Sequence, residues 1–378
     1  MSGILYKYHD YIDLEGAQPI SMGEGNTPLI FSDYLSDRTG AKVYLKLEGS
    51  NPTGSFKDRG MVVAVCKALQ SGKKILVCAS TGNTSASASA YAARYGLIST
   101  IIVPGKKIAK GKLSQAMAFG AKIIAIDGSF DDALNIVRDL SEEEGIEIVN
   151  SINPYRIEGQ KTASFEIIDE INSIDYLCIP VGNAGNITAY WKGFKEYSDS
   201  HSFNLPKMLG FQAAGAAPIV SGKIVEKPET IATAIRIGNP ASWNYANNAV
   251  EESDGGIFSV TDKEIIDSYI TLARKEGVYC EPASAAAVAG LLKLSGDQID
   301  FSNKVVTCVI TGNGLKDLDT SDEYASVNID VYNMNGQKIN FIVLKSDNIE
   351  FQVKDYGIGI SKKNIENLTE PFYQASQT

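Results

Sequence analysis

Short apolar runs alternate with helix-compatible stretches through most of this 378-residue chain, and that alternation narrows the folds open to it. Val43–Leu47, Lys74–Cys78, Thr100–Val103, Lys122–Ile126, Leu177–Pro180, Met208–Gln212 and Val305–Thr311 read as strands. Between them lie helical stretches such as Lys57–Ser71 and the small-residue run Gly82–Tyr95. Strands separated by helices pair in parallel, because the crossover returns each strand in the same direction and covers a face of the sheet. The reading is an α/β protein, and its length suits two lobes around separate parallel sheets flanked by helices. In such sheets ligands bind where a strand's carboxyl end opens into a loop and the next helix. The loops after Cys78, Pro180 and Ile310 are therefore the places to look for chemistry.

Several classes of function are disfavoured by composition. The net charge of −10 argues against a nucleic-acid partner, which needs a basic face to displace counterions. Cys66, Cys78, Cys178, Cys280 and Cys308 are scattered and form no C-x-x-C pair, so they read as reduced core residues. His9 and His201, the only histidines, lack partners at ligand spacing, which disfavours a metal site or a Ser-His-Asp triad. No apolar run reaches bilayer length and Met1–Asp13 has no signal-like core, so the expectation is a cytoplasmic protein with no membrane partner.

Four loops offer chemistry, each with a plain alternative. In Ser55–Gly60, Lys57 opens a helix, where the positive end of the dipole lowers an ammonium pKa and suits an amine nucleophile; from spacing alone a surface lysine in a Lys-Asp-Arg cluster is the readier reading. Ser80-Thr81-Gly82-Asn83-Thr84 offers hydroxyls, an amide and backbone N–H groups to a carboxylate, or is an ordinary helix cap. In Gly182-Asn183-Ala184-Gly185-Asn186, glycines let successive N–H groups converge on a phosphate, or simply make a tight turn. It is neither a dinucleotide fingerprint nor a P-loop. Thr311, in Thr311–Lys316, presents a hydroxyl at a strand end.

Together with Glu24–Leu29, these loops resemble, in order and spacing, the threonine synthases, which belong to the tryptophan-synthase β-like group of pyridoxal-5′-phosphate (PLP) enzymes of fold type II. Gly128–Asp132 and Asn153–Thr162 match the same family, and the likeness covers roughly residues 1–320. It implies a catalytic region 1–320, with a smaller lobe at about 55–150 and a larger one from 1–54 and 151–320. It further implies that Lys57 holds PLP and moves protons, Asn83 donates to the cofactor's phenolic oxygen, and Gly182–Asn186 takes its phosphate. Thr311 would face the pyridine nitrogen, and a hydroxyl there tempers the ring as an electron sink. Thr81, Asn83 and Thr84 would hold the α-carboxylate of O-phospho-L-homoserine, and Arg156 its γ-phosphate, helped by Ser80, Ser151 and Asn183. The reaction implied is conversion of that substrate and water to L-threonine and phosphate, in a homodimer. The competing readings are a PLP-dependent serine/threonine dehydratase and an inactive chimera. A solvated surface position is the plain alternative for Arg156.

From about Ser321 the pattern changes to alternating strands, Val327–Val331, Ile339–Leu344 and Ile349–Val353, with a turn at Asn335-Gly336. Asp355–Ile360 and Glu370–Gln374 resemble the D-x-G-x-G and F boxes of histidine-kinase ATP-binding domains. Without the other parts of such a site, residues 321–378 read as a catalytically silent antiparallel tail.

Overall fold

The apolar runs become strands because each carries buried side chains against helices on the sheet faces. In chain order they are β1 (Leu29–Phe31), β2 (Lys42–Leu47), β3 (Ile75–Ala79), β4 (Ile98–Pro104), β5 (Lys122–Ile126), β6 (Ile146–Ile148), β7 (Tyr176–Pro180), β8 (Lys207–Ala213), β9 (Gly256–Val260) and β10 (Val305–Ile310). The computed structural model describes residues 3–105, 110–140, 143–324, 327–332, 338–345 and 348–350. The chain divides into two compact units, Met1–Asp317 and Leu318–Thr378.

In the first unit a six-stranded sheet runs β1-β2-β10-β7-β8-β9 and a four-stranded sheet runs β5-β4-β3-β6. The smaller sheet is wholly parallel. The larger is mixed, since β1 lies antiparallel to β2 at its edge. Sequence reading passes over β1, β6 and β9, because runs of three to five residues with mixed burial give too little periodicity to stand out.

Central strands are buried on both faces, which accounts for the unbroken burial of β10 from Val306 to Ile310, where Thr307 is the one polar residue. The helix Pro282–Asp297, rich in alanine, lies close on this sheet; Ala285, Ala286, Ala287 and Val288 are fully buried. Each large aliphatic side chain so buried stabilises the fold by about 1.5–3 kcal/mol. The helix Lys57–Gln70 is buried continuously from Asp58 to Ala68. All five cysteines are buried and unpaired in disulfides. Among the described residues no helix is long and apolar enough to cross a membrane.

The second unit contains the helix Leu318–Tyr324 and an antiparallel sheet of β11 (Val327–Tyr332), β12 (Lys338–Lys345) and β13 (Asn348–Glu350). The segments likened to histidine-kinase boxes, 355–360 and 370–374, and the turn at 335–336 lie outside the described residues.

Candidate active site

Residues far apart in sequence are stitched together at the carboxyl ends of β3, β7 and β10. The Phe56 N–H donates to the Thr311 carbonyl at 3.0 Å, and the Asn313 N–H donates to the Gly54 carbonyl at 2.9 Å. Ser55 and Gly312 form an antiparallel bridge. These bonds set the first turn of the Lys57 helix beside the loop after β10. Around them opens a cavity of about 770 Å³, and all thirteen residues singled out in sequence line it: Lys57, Ser80, Thr81, Asn83, Thr84, Ser151, Arg156, Gly182, Asn183, Ala184, Gly185, Asn186 and Thr311.

Lys57 faces the cavity from deep within it, its ammonium 4.2 Å from the centre of the Phe56 ring. Burial pushes its pKa down to about 7; the nearby Arg156 cation adds to this and Glu281 opposes it. The direction is the one read from the helix start, but desolvation is the principal cause. Arg156 is not a surface residue, being only 1% exposed. Its Nη1 donates to the Val149 carbonyl at 2.6 Å, while Nε and Nη2 are buried without a protein partner. Burial pulls this guanidinium down to about 10.

The helix Asn83–Tyr95 begins at Gly82 with no side-chain cap, so Thr81 and Asn83 are not consumed as capping groups. The helix Gly185–Ser198 likewise has no side-chain cap, and Ala184 turns into it in the left-handed conformation at φ 66°. Both amide atoms of Asn186 are buried without a partner. An uncapped helix start leaves its first N–H groups and the positive end of the helix dipole open to the cavity, an arrangement that suits an anion. Asn183 braces the loop, accepting the Ala241 N–H at its Oδ1 (3.2 Å). The Thr311 hydroxyl lies 2.8 Å from that of Ser284.

Sequence reasoning missed Glu281, Ser284, Asn150, Gln115 and Lys316, which line or support the cavity. Asn150 exchanges two 3.0 Å hydrogen bonds with the Ala79 backbone, prolonging the end of β3. Lys316 is hydrogen bonded to Gln115, and burial lowers its pKa. Cys280-Glu281-Pro282 carries a readable helix-start signal, proline at the first helical position, but nothing in it announces that the carboxylate faces a cavity.

Residues 20–312 match the family described as pyridoxal-phosphate dependent enzyme. The chain belongs to that family. It is 56% identical over 328 residues to the threonine synthase of Halalkalibacterium halodurans, covering 86% of this chain and 93% of that one. With the threonine synthase of Synechocystis it shares 55% over 322 residues, 84% of each chain. The solved structure of maize serine racemase superposes with a TM-score of 0.67 at 22% identity, over 77% of this chain and 88% of that one, and shares the fold. The residues present fit the family's cofactor: a buried amine of lowered pKa, an uncapped helix start suited to a phosphate, and a neutral hydroxyl pair at the end of β10.

Proposed function

We propose that this enzyme is a threonine synthase, converting O-phospho-L-homoserine and water to L-threonine and phosphate with PLP. The observation that carries the reading is Arg156. A buried guanidinium with two unpartnered nitrogens, close enough to Lys57 to depress its pKa, is a costly arrangement unless an anion comes to it. A phosphorylated amino acid supplies that anion. Serine and threonine, substrates of the rival dehydratase reading, carry only the α-carboxylate, which this reading gives to Thr81 and Thr84, and bring no second anion to Arg156.

When bound, PLP supplies the electron sink that lets protons leave carbons next to the amino group. Lys57 holds it and, with a pKa near neutrality, takes and returns protons at Cα and Cβ of the substrate. Asn83 would donate to the phenolic oxygen, Gly182, Asn183, Ala184, Gly185 and Asn186 would hold the phosphate of the cofactor, and Thr311 would meet its ring nitrogen; all of them line the cavity. Thr81 and Thr84 orient the substrate's carboxylate; Arg156, with Ser80 and Ser151, grips its phosphate and stabilises it as it departs. Residues 1–320 carry the catalytic region, with lobes at 55–150 and at 1–54 with 151–320. We assign residues 321–378, including the segments that resemble histidine-kinase boxes, no part in this chemistry, since every residue given a role precedes them. The reading includes a homodimer working in the cytoplasm.

The test supplies O-phospho-L-homoserine to the purified enzyme with PLP, beside Lys57→Ala. Threonine and phosphate in equal amounts, absent from the variant, are expected. Ammonia and a 2-oxo acid from serine or threonine, with no phosphate release, would replace this reading by the dehydratase.

A further inference from the structure

Asn83 stands at the first residue of its helix, and its Nδ2 lies 3.2 Å and 3.1 Å from the two carboxylate oxygens of Glu281. The two residues are 198 positions apart, one following the smaller sheet and the other opening a helix against the larger. The two ends of a carboxamide are nearly equal in shape, so the end that faces a ligand is decided by its fixed partners. A carboxylate only accepts. It therefore engages the Asn83 nitrogen, turns the carboxamide oxygen away from itself, and leaves one N–H for the cavity.

Glu281 is itself held firmly. Its backbone N–H donates to the Gly312 carbonyl at 3.1 Å, and it is 5% exposed. A Cβ on Gly312 would stand 2.5 Å from Glu281 Oε1, so the carboxylate lies directly against that backbone. The Glu281 backbone carbonyl accepts the Ser284 N–H at 2.9 Å, and the Ser284 hydroxyl lies 2.8 Å from that of Thr311. Burial, joined by the Asp317 carboxylate, raises the Glu281 carboxyl above its usual value, although the Asn83 N–H and the Lys316 and Lys57 cations favour the charged form.

We propose that Glu281 is a positioning residue that sets the Asn83 carboxamide with its nitrogen available to the cofactor's phenolic oxygen, coupling the loop after β3 to the loop after β10. The inference rests on PLP binding in this cavity with Asn83 as a donor. It does not depend on which amino acid is turned over. Because a buried charge-assisted hydrogen bond contributes more than a neutral one, the carboxylate also restrains Asn83 more tightly than a water could.

The experiment measures PLP dissociation constants and the absorption maximum of bound PLP for the full chain, Glu281→Ala, Glu281→Gln, Asn83→Ala and the double Ala variant. Melting curves of the cofactor-free proteins report folding. Glu281→Ala and Asn83→Ala are each expected to weaken PLP binding about tenfold and to shift the absorption maximum alike. The double variant should bind no more weakly than Asn83→Ala alone, since Glu281 acts through Asn83. Glu281→Gln, which keeps an acceptor oxygen, should stay within about threefold of the parent. Multiplying losses in the double variant overturn the proposal, as does unchanged affinity in Glu281→Ala. If Glu281→Ala does not fold, a loss of tenfold or more in a folded Glu281→Gln overturns it. Coupled losses in PLP binding without threonine formation would leave this inference standing and remove the proposed reaction instead.

Discussion

Lys57 is valuable to an enzyme because a large share of its amine is neutral near pH 7, where most lysines are almost wholly charged. Burial lowers its pKa to about 7, against about 10.4 in an unfolded chain. The reactivity of the cofactor-free protein should follow that value. Covalent capture of Lys57 by PLP and borohydride, quantified by peptide mass spectrometry, is expected to rise with a midpoint near pH 7, whereas exposed lysines rise toward about pH 10.4. A midpoint above about 9 would remove Lys57's assignment as a proton carrier at neutral pH. The same shift affects stability. Between these two pKa values the unfolded chain holds a proton that the folded one lacks, so this group's contribution rises with pH across that window.

At the scale of elements, the site depends on how closely two helices approach. Lys57–Gln70 and Tyr155–Gln160 meet at Gly60 and Gly159. A Cβ at Gly159 would lie 1.8 Å from the Arg59 carbonyl oxygen, and one at Gly60 would lie 2.6 Å from the Arg156 carbonyl oxygen. No side-chain rotation relieves a clash with backbone. This contact is what carries Arg156 to the neighbourhood of Lys57. Gly159→Ala is therefore expected to destabilise the protein by about 3 kcal/mol in urea denaturation. It should also weaken substrate binding more than PLP binding, because the displaced helix bears Arg156 and not Gly182–Asn186, the loop proposed for the cofactor's phosphate.

Across the whole catalytic unit, a buried charge cluster secures the chain's amino-terminal segment. Arg59 donates twice to Glu48, at 2.7 and 2.8 Å, and twice to Glu166, at 2.8 and 2.6 Å. Lys46 reaches Glu166 at 2.7 Å, and the Asn26 N–H reaches the same carboxylate at 2.7 Å. Two cations and two anions thus balance in the interior. Removing one anion leaves charge uncompensated, so Glu166→Gln should cost about 3–5 kcal/mol at pH 7 by chemical denaturation. Although burial alone would raise it, the Arg59 and Lys46 cations hold the Glu166 carboxyl well below the usual carboxylate range. Its contribution is present above the unfolded value of about 4.3 and is lost as pH falls toward the folded one. The gap between parent and variant should accordingly narrow below about pH 4.3. A gap unchanged between pH 7 and pH 3.5 would mean that the carboxylate's charge is not what stabilises the cluster.

The α/β class and the loops that line the cavity were legible in the chain, because each rests on local information. Apolar runs of strand length separated by helical periodicity imply parallel sheets, and Gly-Asn-Ala-Gly-Asn marks a loop opening a helix at a strand's carboxyl end, whether as an anion cradle or a tight turn. Short strands such as β1 and β9 escaped notice, for their residues owe strand structure to neighbours supplied by distant segments. Sequence placed Lys57 at a helix start, but only the folded surroundings decide how far its proton is loosened. The same is true of Arg156, whose burial beside Gly60 removes the solvated surface position that the sequence alone allowed. Glu281 was hidden most completely: its role arises from a hydrogen bond to Asn83 that exists only once two sheets stand on either side of one cavity. Local order is encoded by neighbours in the chain. Desolvation and pairing across 100 or more residues are created by packing, and in this enzyme packing decides which polar groups become reactive.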